Sequence, residues 1–547
     1  MIMTGGQIVV EALIRARIER LYCVPGESFL AVIDAMFDVQ DKISQVTCRH
    51  ESGAAMMALA EAELLGRPSA CFVTRGPGAT NASIAVHMAH QASLPLILFI
   101  GQVSRDLLGR EAFQEIDYQN FYGGITKAVY DIHDPDEIST TIATAFNVAQ
   151  QGRPGPVVVV LPEDVLAANG SQQVERLLTP EAQPVLDQSQ LATLQRLLCA
   201  AEKPLIIAGG PMWSDHTANA LTELAERSLT PVTTAFRRND AVDNFSPCFA
   251  GYLGLNQHNG IEALVATADL IVVLGARLDE PTTTAYNLPG LFHDHACENF
   301  TWAHIHPSFR ALPGCPKAPL QIEASSSSVI DALGGMSWSM DDEHAERRQS
   351  WFSACRQQYE DSLKDPFKGK YADELLDLPK VMAELNELLD EEAIITTDAG
   401  NFTVWPQRLR QYRRPGRLLA PINGAMGFGI PSGIAASLAF PDSTVVSFVG
   451  DGGMLMTGQE LSTAVKYGAK PIIIIFNNAL YGTIDTHQRR QYPGREHGNE
   501  LSNPNFASFA ESFGVAGVSV RNVPDFANAF LQAKQLDELA VIELMLH

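Results

Sequence analysis

Short apolar runs rich in valine and isoleucine recur along the chain, and longer segments with helical periodicity separate them. The clearest runs are residues 67–74, 94–101, 155–162, 203–210, 269–276, 302–307, 392–400, 442–452, 470–478 and 539–547. Because these runs are apolar on both faces, they are typical of parallel strands that helices cover on both sides. The alternation therefore predicts an α/β fold built from doubly wound parallel sheets.

The chain has 547 residues, which is too long for one domain at roughly 100–200 residues per domain. Polar segments at 167–190 and 336–372 interrupt the alternation and are candidate linkers. We therefore predict three domains with one sheet each, spanning 1–180, 181–350 and 351–547. The first and last of these can share a fold although no sequence repeat is visible.

The charge balance argues against several classes of partner. Lysine and arginine total 39 against 63 aspartate and glutamate residues, so the net charge is −24. Nucleic-acid-binding proteins normally present a basic surface, and proteins that bind anionic membranes do the same. We therefore expect neither nucleic acid nor a membrane as a partner. The apolar runs are also much shorter than the about 20 residues of a membrane span.

The N-terminal segment and the cysteines indicate the compartment. The first twenty residues mix acidic and basic side chains in an amphipathic helical pattern, which differs from a signal peptide. The 8 cysteines are scattered without a CxxC pair, as expected for reduced thiols. We therefore expect a soluble cytoplasmic protein.

The sharpest chemical signal lies in the last third of the chain. The sequence Gly450–Asp451–Gly452–Gly453 follows one apolar run directly, and Asn477–Asn478 end the next. Open α/β sheets bind ligands beyond the carboxyl ends of their strands. Glycines let backbone amides approach a phosphate closely, and Asp451 and Asn478 offer the hard oxygen ligands that Mg²⁺ prefers. The pattern predicts a site for a diphosphate and Mg²⁺.

This GDG and NN spacing resembles that of the thiamine diphosphate enzymes. The segments CRHESGA, TRGPGATN, SLPLILFIGQV and EAFQEID in the first third are similar to the acetolactate synthase branch of that family. The resemblance spans nearly the whole chain, in the order pyrimidine-binding, central Rossmann-like and diphosphate-binding domain. It implies thiamine diphosphate and Mg²⁺ as cofactors, and a homodimer or homotetramer with active sites between subunits.

The central domain has strand patterns of the Rossmann type, but its glycines fall short of GxGxxG. The resemblance to acetolactate synthases makes FAD a possible ligand of this domain, without a redox part in the main reaction.

Glu51 is the predicted catalytic carboxylate. It opens a helix after a strand, where the helix dipole alone would favour an acidic residue. The resemblance implies more, because the family places a glutamate here to exchange a proton with the aminopyrimidine ring. The cofactor's own amino group can then deprotonate its thiazolium carbon.

The resemblance also implies the remaining site residues. The cofactor contacts, besides Glu51, would be Ala399, Gly400, Asn401, Phe402, Gly424, Met426, Gly450, Asp451, Gly452, Gly453, Asn478 and Tyr481. Met426 would support the thiazolium ring and the Gly424 backbone would meet the exocyclic amine. The metal ligands would be Asp451, Asn478 and the carbonyl of Leu480. Phe113, Gln114 and His487 would face the reacting centre.

Two departures from biosynthetic acetolactate synthases leave the second substrate open. The segment Arg277–Pro281 reads RLDEP and lacks the closing arginine of the RLDDR-like motif. His487 stands where those enzymes carry a tryptophan that shapes the acceptor pocket. An imidazole is smaller and polar, and it can donate a proton.

The predicted function is decarboxylation of a 2-oxo acid such as pyruvate, followed by carboligation to a carbonyl acceptor, as in an acetolactate synthase-like transferase. The alternatives are a lyase of the same superfamily, either a 2-oxo acid decarboxylase or an acyloin C–C lyase, and a non-catalytic regulatory homologue. Glyoxylate carboligases fit poorly because they lack the glutamate. Decarboxylases with a paired histidine motif also fit poorly, because this chain has Arg110–Phe113 in that segment.

Overall fold

The computed structural model describes residues 2–171, 186–258, 260–295, 297–364 and 376–547. These residues form three six-stranded sheets and one two-stranded sheet. The chain divides into two compact units, one of Met1–Glu181, Ile394–Phe402 and Leu419–His547, the other of Ala182–Ala393 and Thr403–Leu418. The predicted α/β class with one parallel sheet in each third of the chain is confirmed.

The first third contains an antiparallel pair, β1 with β8, and a six-stranded sheet in the order β3-β2-β4-β5-β7-β6. Its elements are β1 (Ile2–Thr4), α1 (Gly5–Arg15), β2 (Arg20–Cys23), α2 (Leu30–Phe37), β3 (Ser44–Thr47), α3 (Glu51–Leu65), β4 (Ser69–Val73), α4 (Gly76–Ala92), β5 (Leu96–Gln102), α5 (Tyr118–Tyr122), β6 (Ala128–Asp131), α6 (Ile138–Gln150), β7 (Val157–Pro162), α7 (Glu163–Ala167) and β8 (Asn169–Ser171). Neighbouring strands of the larger sheet run parallel.

The central sheet has the order β11-β10-β9-β12-β13-β14. Its elements are α8 (Gln188–Ala200), β9 (Pro204–Ala208), α9 (Asp215–Arg227), β10 (Val232–Thr234), β11 (Phe249–Tyr252), α10 (Ile261–Thr267), β12 (Leu270–Leu274), β13 (Thr301–His306), β14 (Leu320–Glu323), α11 (Ser326–Gly334), α12 (Asp342–Lys364) and α13 (Leu378–Leu388). Numbered within the domain, this is the order 3-2-1-4-5-6 of dinucleotide-binding folds.

The third sheet has the order β16-β15-β17-β18-β20-β19. Its elements are β15 (Ile394–Thr397), α14 (Val404–Leu409), β16 (Leu418–Leu419), α15 (Gly429–Ala439), β17 (Val445–Gly450), α16 (Asp451–Thr457), α17 (Leu461–Tyr467), β18 (Ile472–Asn477), α18 (Gly482–Gln491), α19 (Phe506–Glu511), β19 (Ala516–Val520), α20 (Val523–Leu536) and β20 (Ala540–Met545). When strands are numbered in chain order within each six-stranded sheet, the first and third sheets share the order 2-1-3-4-6-5.

The first and third sheets also share one apolar core. Helix α3 packs directly against α15, and the two helices occupy the same place in their domains, each following the second strand. Ala54, Ala55 and Ala58 on α3 are fully buried, as are Ala435 and Ala436 on α15. Such small side chains let the two helix backbones approach closely, so they join these domains tightly within the first unit.

The predicted domain limits remain predictions. The limit at 180 lies outside the described residues, and the limit at 350 falls within α12. Among the residues that the structure describes, no helix has the length and apolar character needed to cross a membrane.

Candidate functional site

The glycines after β17 stand where neighbouring side chains leave no room for a Cβ atom. A methyl group on Gly453 would lie 1.8 Å from Asp398 Oδ2, and one on Gly452 would lie 2.7 Å from Tyr481 Cε1. The Gly452 methyl would also meet Met426 Cε at 3.2 Å. The segments that carry Met426 and Tyr481, two other predicted cofactor contacts, therefore pack closely against this turn.

This turn lies at a topological switch point of the third sheet. Strands β15 and β17 are neighbours in the sheet, although β16 comes between them in the chain. The segments 399–402 and 450–453 follow these two strands, and open α/β sheets bind ligands at such a position. Phe402 closes one side, because its ring lies 3.0 Å from a Cβ placed on Gly450 and stacks on Phe476 with centroids 5.0 Å apart.

Asn401 ties the segment after β15 to the first turn of α18. Its Nδ2 donates to Thr486 Oγ1 at 3.0 Å and to the Gly482 carbonyl at 3.2 Å. Its Oδ1 accepts from Thr483 Oγ1 at 3.0 Å. Three predicted segments, after β15, β17 and β18, thus meet at one edge of the sheet.

Asp398 is a structural residue of the site that sequence analysis missed. It is fully buried, and its Oδ1 accepts backbone N–H groups from Gly427 at 2.6 Å, Ala399 at 2.9 Å and Phe428 at 3.3 Å. These bonds hold the loop with Gly424 and Met426 against the end of β15. The signal available was an aspartate directly before the predicted segment Ala399–Phe402.

Asp451 is a nearly buried carboxylate at the first position of α16. It is 4% exposed, and its Oδ1 accepts from Gly452 N at 2.9 Å. Its Oδ2 accepts from Asn503 Nδ2 at 2.8 Å. Burial raises the pKa of Asp451, because removal from water penalises the charged form. A cation bound beside this carboxylate would favour the charged form again.

The other two predicted metal ligands lie on the tight loop after β18. Asn478 Oδ1 accepts from Leu480 N at 3.2 Å, and the Leu480 carbonyl accepts from Gly482 N at 2.9 Å. Ala479, between them, has a positive φ of 55°. No group of three or more histidine, cysteine, aspartate or glutamate side chains suited to a metal occurs in the described residues. A metal here would need further oxygen ligands, such as a diphosphate.

Glu51 begins α3, and the buried carboxylate of Glu460 fixes the turn before it. Glu51 Oε2 accepts from Asn81 Nδ2 at 2.9 Å. Glu460, which is fully buried, accepts from the backbone N–H groups of Arg49 at 3.1 Å and His50 at 3.0 Å. Burial raises the pKa of Glu460. Sequence analysis missed this residue because its partners are distant in the chain.

Comparison with known protein families shows which family these motifs belong to. The thiamine pyrophosphate enzyme N-terminal TPP binding domain matches residues 3–121, the central domain matches 191–333, and the C-terminal TPP binding domain matches 398–544. The chain belongs to the thiamine pyrophosphate enzyme family. Thiamine pyrophosphate is thiamine diphosphate, so the predicted resemblance is confirmed.

Relatives of nearly full length place the chain on the acetolactate synthase-like branch of the thiamine pyrophosphate enzymes. The acetolactate synthase isozyme 1 large subunit of Escherichia coli is 30% identical over 536 residues, covering 95% of this chain and 90% of that protein. The isozyme 2 large subunit of the same organism is 28% identical over 519 residues, covering 94% and 90%. The probable acetolactate synthase large subunit of Methanocaldococcus jannaschii is 29% identical over 530 residues, covering 94% and 87%.

The described residues fit the diphosphate end of the family's cofactor. The turn 450–453 admits only glycine at its crowded positions, because a Cβ atom on Gly452 or Gly453 would meet neighbouring side chains. Next to it stands the buried Asp451 carboxylate, whose burial suits a bound cation.

The residues predicted to face the reacting centre lie on two different domains. Phe113 is 78% exposed. Gln114 has a positive φ of 66°, and its Oε1 accepts from Arg75 Nε at 3.1 Å. His487 lies exposed on α18, where its Nδ1 accepts from Arg490 Nη2 at 3.0 Å. Their roles toward a substrate stay predictions.

Proposed function

We propose that the chain is a Mg²⁺-dependent thiamine diphosphate enzyme that decarboxylates a 2-oxo acid such as pyruvate. The remaining fragment is then transferred to a second carbonyl compound, as the name acetolactate synthase describes for its relatives. One observation carries the proposal: the GDG turn, Met426 and the NN segment meet at the switch point of the third sheet. Because thiamine pyrophosphate family models match all three domains, a ligand there is best explained as this cofactor.

Bound thiamine diphosphate supplies an electron sink for making and breaking carbon–carbon bonds next to a carbonyl group. In the proposal the segments 399–402 and 450–453, together with Tyr481, would hold the diphosphate. Asp451, Asn478 and the Leu480 carbonyl would hold Mg²⁺. Met426 supports the thiazolium ring, and the Gly424 backbone accepts from the exocyclic amine.

Glu51 would exchange a proton with the aminopyrimidine ring of the bound cofactor. Its Oε2 is engaged by Asn81, which fixes the carboxylate while Oε1 remains for the proton. The ring binds at Glu51 of one subunit and the diphosphate at another subunit, so the active enzyme is a homodimer or homotetramer. In support, Leu455 and Met456 on α16 are 49% and 45% exposed just after the GDG turn. A partner subunit would remove this apolar surface from water.

A lyase is the second candidate, and His487 is the observation that favours it. Where related synthases carry an apolar pocket residue, this chain places an exposed imidazole beside the Arg490 guanidinium. A polar acceptor pocket with a proton donor suits protonation of the decarboxylated fragment, which would make the enzyme a 2-oxo acid decarboxylase or C–C lyase.

The central domain is the candidate site for the FAD that the resemblance to acetolactate synthases implies. Gly210 and Gly275 follow β9 and β12, which flank the switch point of the central sheet. A methyl group on Gly210 would lie 2.4 Å from the Gly275 carbonyl oxygen, and Gly275 has the same restriction toward Gly209. Contact between the two loops therefore already explains these glycines. The visible absorbance spectrum of the purified protein tests for a bound flavin.

The deciding experiment supplies the apoprotein with thiamine diphosphate, Mg²⁺ and a panel of 2-oxo acids and aldehydes. Products are identified by mass spectrometry and CO₂ release is measured. Carboligation products would support the transferase, and CO₂ with simple aldehydes would support the lyase. Cofactor binding without any product from the panel would support the regulatory homologue instead.

Asp451→Ala tests the metal site in the same assay. Loss of the anionic ligand should raise the Mg²⁺ concentration needed for thiamine diphosphate binding, measured by fluorescence or circular dichroism. Asp442→Ala, at an exposed aspartate before β17, is the control. If Asp451→Ala binds the cofactor like the parent at limiting Mg²⁺, the metal site is misplaced.

A further inference from the structure

Asn503 joins the two turns that carry the metal ligands of the proposed site. It lies on the loop before α19, and its Nδ2 donates to Asp451 Oδ2 at 2.8 Å and to Asn477 Oδ1 at 2.9 Å. An asparagine side chain has two N–H donors, so both are used. One acceptor follows β17 and the other ends β18, and these strands are neighbours in the sheet.

A buried carboxylate sets the direction of these hydrogen bonds. Glu543 on β20 is 1% exposed, and its Oε1 accepts from Asn477 Nδ2 at 2.6 Å. Its Oε2 accepts from Ser519 Oγ at 2.5 Å. Because a carboxylate only accepts, Asn477 must turn Nδ2 toward Glu543 and Oδ1 toward Asn503. Asn503 must therefore present its Nδ2 to both oxygens.

The segment that leads to Asn503 is also fixed to the loop of Asn478 and Leu480. Tyr481 N donates to the Asn499 carbonyl at 2.8 Å, and Leu501 N donates to the Ala479 carbonyl at 2.8 Å. The loop that supplies the proposed neutral metal ligands is thus paired with the loop that holds the carboxylate ligand.

We propose that Asn503 is a positioning residue of the metal site, which orients the Asp451 carboxylate and holds the turns after β17 and β18 together before the ion binds. The proposal rests on the proposed function, in which Asp451 and Asn478 are metal ligands. Asp451 Oδ1 accepts from Gly452 N and Oδ2 accepts from Asn503 Nδ2, and a carboxylate has about four lone-pair sites, so capacity for a cation remains. Residues that orient metal ligands in this way commonly govern metal affinity.

The test measures metal binding without turnover. Apoprotein with thiamine diphosphate is titrated with Mn²⁺ in place of Mg²⁺, and free Mn²⁺ is followed by electron paramagnetic resonance. Asn503→Ala should weaken Mn²⁺ binding about 10- to 100-fold, the usual effect of removing a residue that orients a metal ligand. Mn²⁺ affinity equal to that of the parent would overturn the proposal.

Asn505→Ala is the matched control. Asn505 lies on the same loop, but its side chain caps α19 by accepting from Ser508 N at 2.7 Å. Both alanine variants should lower the unfolding temperature of the metal-free protein, and only Asn503→Ala should weaken Mn²⁺ binding. Equal weakening in both variants would assign the effect to loop stability and reject the positioning role.

Asn503→Leu keeps the side-chain size without a donor, and it answers the same question if the alanine variant folds poorly. It should weaken Mn²⁺ binding to a similar degree, and parent-like binding would again reject the role. Asp451→Ala distinguishes a failure of the proposed metal site from a failure of the positioning role of Asn503. If it still binds Mn²⁺ like the parent, the proposed metal site itself fails. If it loses Mn²⁺ while both Asn503 variants bind normally, only the positioning role fails.

Discussion

At the scale of single residues, buried carboxylates hold the loops of the candidate site in place, and the more accessible carboxylate of Glu51 is proposed to exchange the proton. Asp398 and Glu460 are fully buried and accept backbone N–H groups, which locks loops in place. Asp451 is 4% exposed and is oriented by Asn503. Glu51 is only partly buried, as a residue that must exchange a proton with a bound ligand requires.

Glu51→Gln should lower turnover about 10²- to 10⁴-fold, because the amide keeps the shape but cannot exchange the proton. Thiamine diphosphate binding should persist, since the change leaves the diphosphate and metal contacts intact. Steady-state rates and a cofactor titration measure the two effects, with Glu63→Gln on the same helix as control. Near-parent rates would remove Glu51 from the mechanism.

His487→Trp should change the product distribution more than the cofactor affinity. The substitution restores a large apolar surface, and apolar contacts discriminate between substrates by about 1–3 kcal/mol. Product ratios from paired acceptors, together with the thiamine diphosphate dissociation constant, check this. His497→Trp, at an exposed histidine on the loop after α18, is the control. Unchanged ratios would show that His487 lies away from the acceptor.

Sequence motifs identified the residues that follow strands in short runs, such as Gly450–Gly453 and Asn477–Asn478. They missed Asp398, Glu460 and Asn503, which act through hydrogen bonds to partners elsewhere in the chain. Asn503 lies 52 residues from Asp451 and Glu460 lies 411 residues from Arg49. Only the folded sheet brings such pairs together, so no local pattern could have indicated Glu460 or Asn503, whereas Asp398 directly precedes the predicted segment Ala399–Phe402.

At the scale of secondary-structure elements, the predicted strands are the buried central ones. Strands such as β5, β7 and β18 are buried at every position and stood out as continuous apolar runs. The edge strand β3 before Glu51 was predicted, but the short interior strands β2 and β10 were missed, and so were other edge strands such as β19, whose residues are largely exposed. Because one side of an edge strand faces solvent, its sequence lacks the strong apolar signal.

Gly453→Ala should destabilise the first turn of α16, directly after β17. The new methyl group would lie 1.8 Å from Asp398 Oδ2, so the carboxylate that holds the Met426 loop must move. Overpacking of this kind costs about 1–3 kcal/mol, and we expect cofactor affinity to fall with it.

Thermal unfolding and a thiamine diphosphate titration measure both consequences of Gly453→Ala. Gly334→Ala is the control, because a methyl group there meets no atom within 4 Å. Parent-like values for Gly453→Ala would contradict the crowding of this turn.

At the scale of the whole molecule, we expect a homodimer or homotetramer in solution. Met456→Lys should charge the exposed apolar face of α16, weaken association and lower activity at low protein concentration. Light scattering and the concentration dependence of the rate test this.

The control for Met456→Lys is Leu536→Lys, at a leucine 51% exposed at the end of α20. It should change neither association nor rate. A fully active monomer of the parent protein would contradict the shared active site.

The common strand order of the first and third sheets has a consequence for ancestry. Two domains with the order 2-1-3-4-6-5 and mutually packed equivalent helices are what duplication of one ancestral module would leave behind. In the proposed assembly, one copy retained the proton-exchanging acid and the other the diphosphate turn. Each copy was then free to lose the half that its sister kept. When two copies specialise in different parts of one site, their sequences diverge while their strand order is retained.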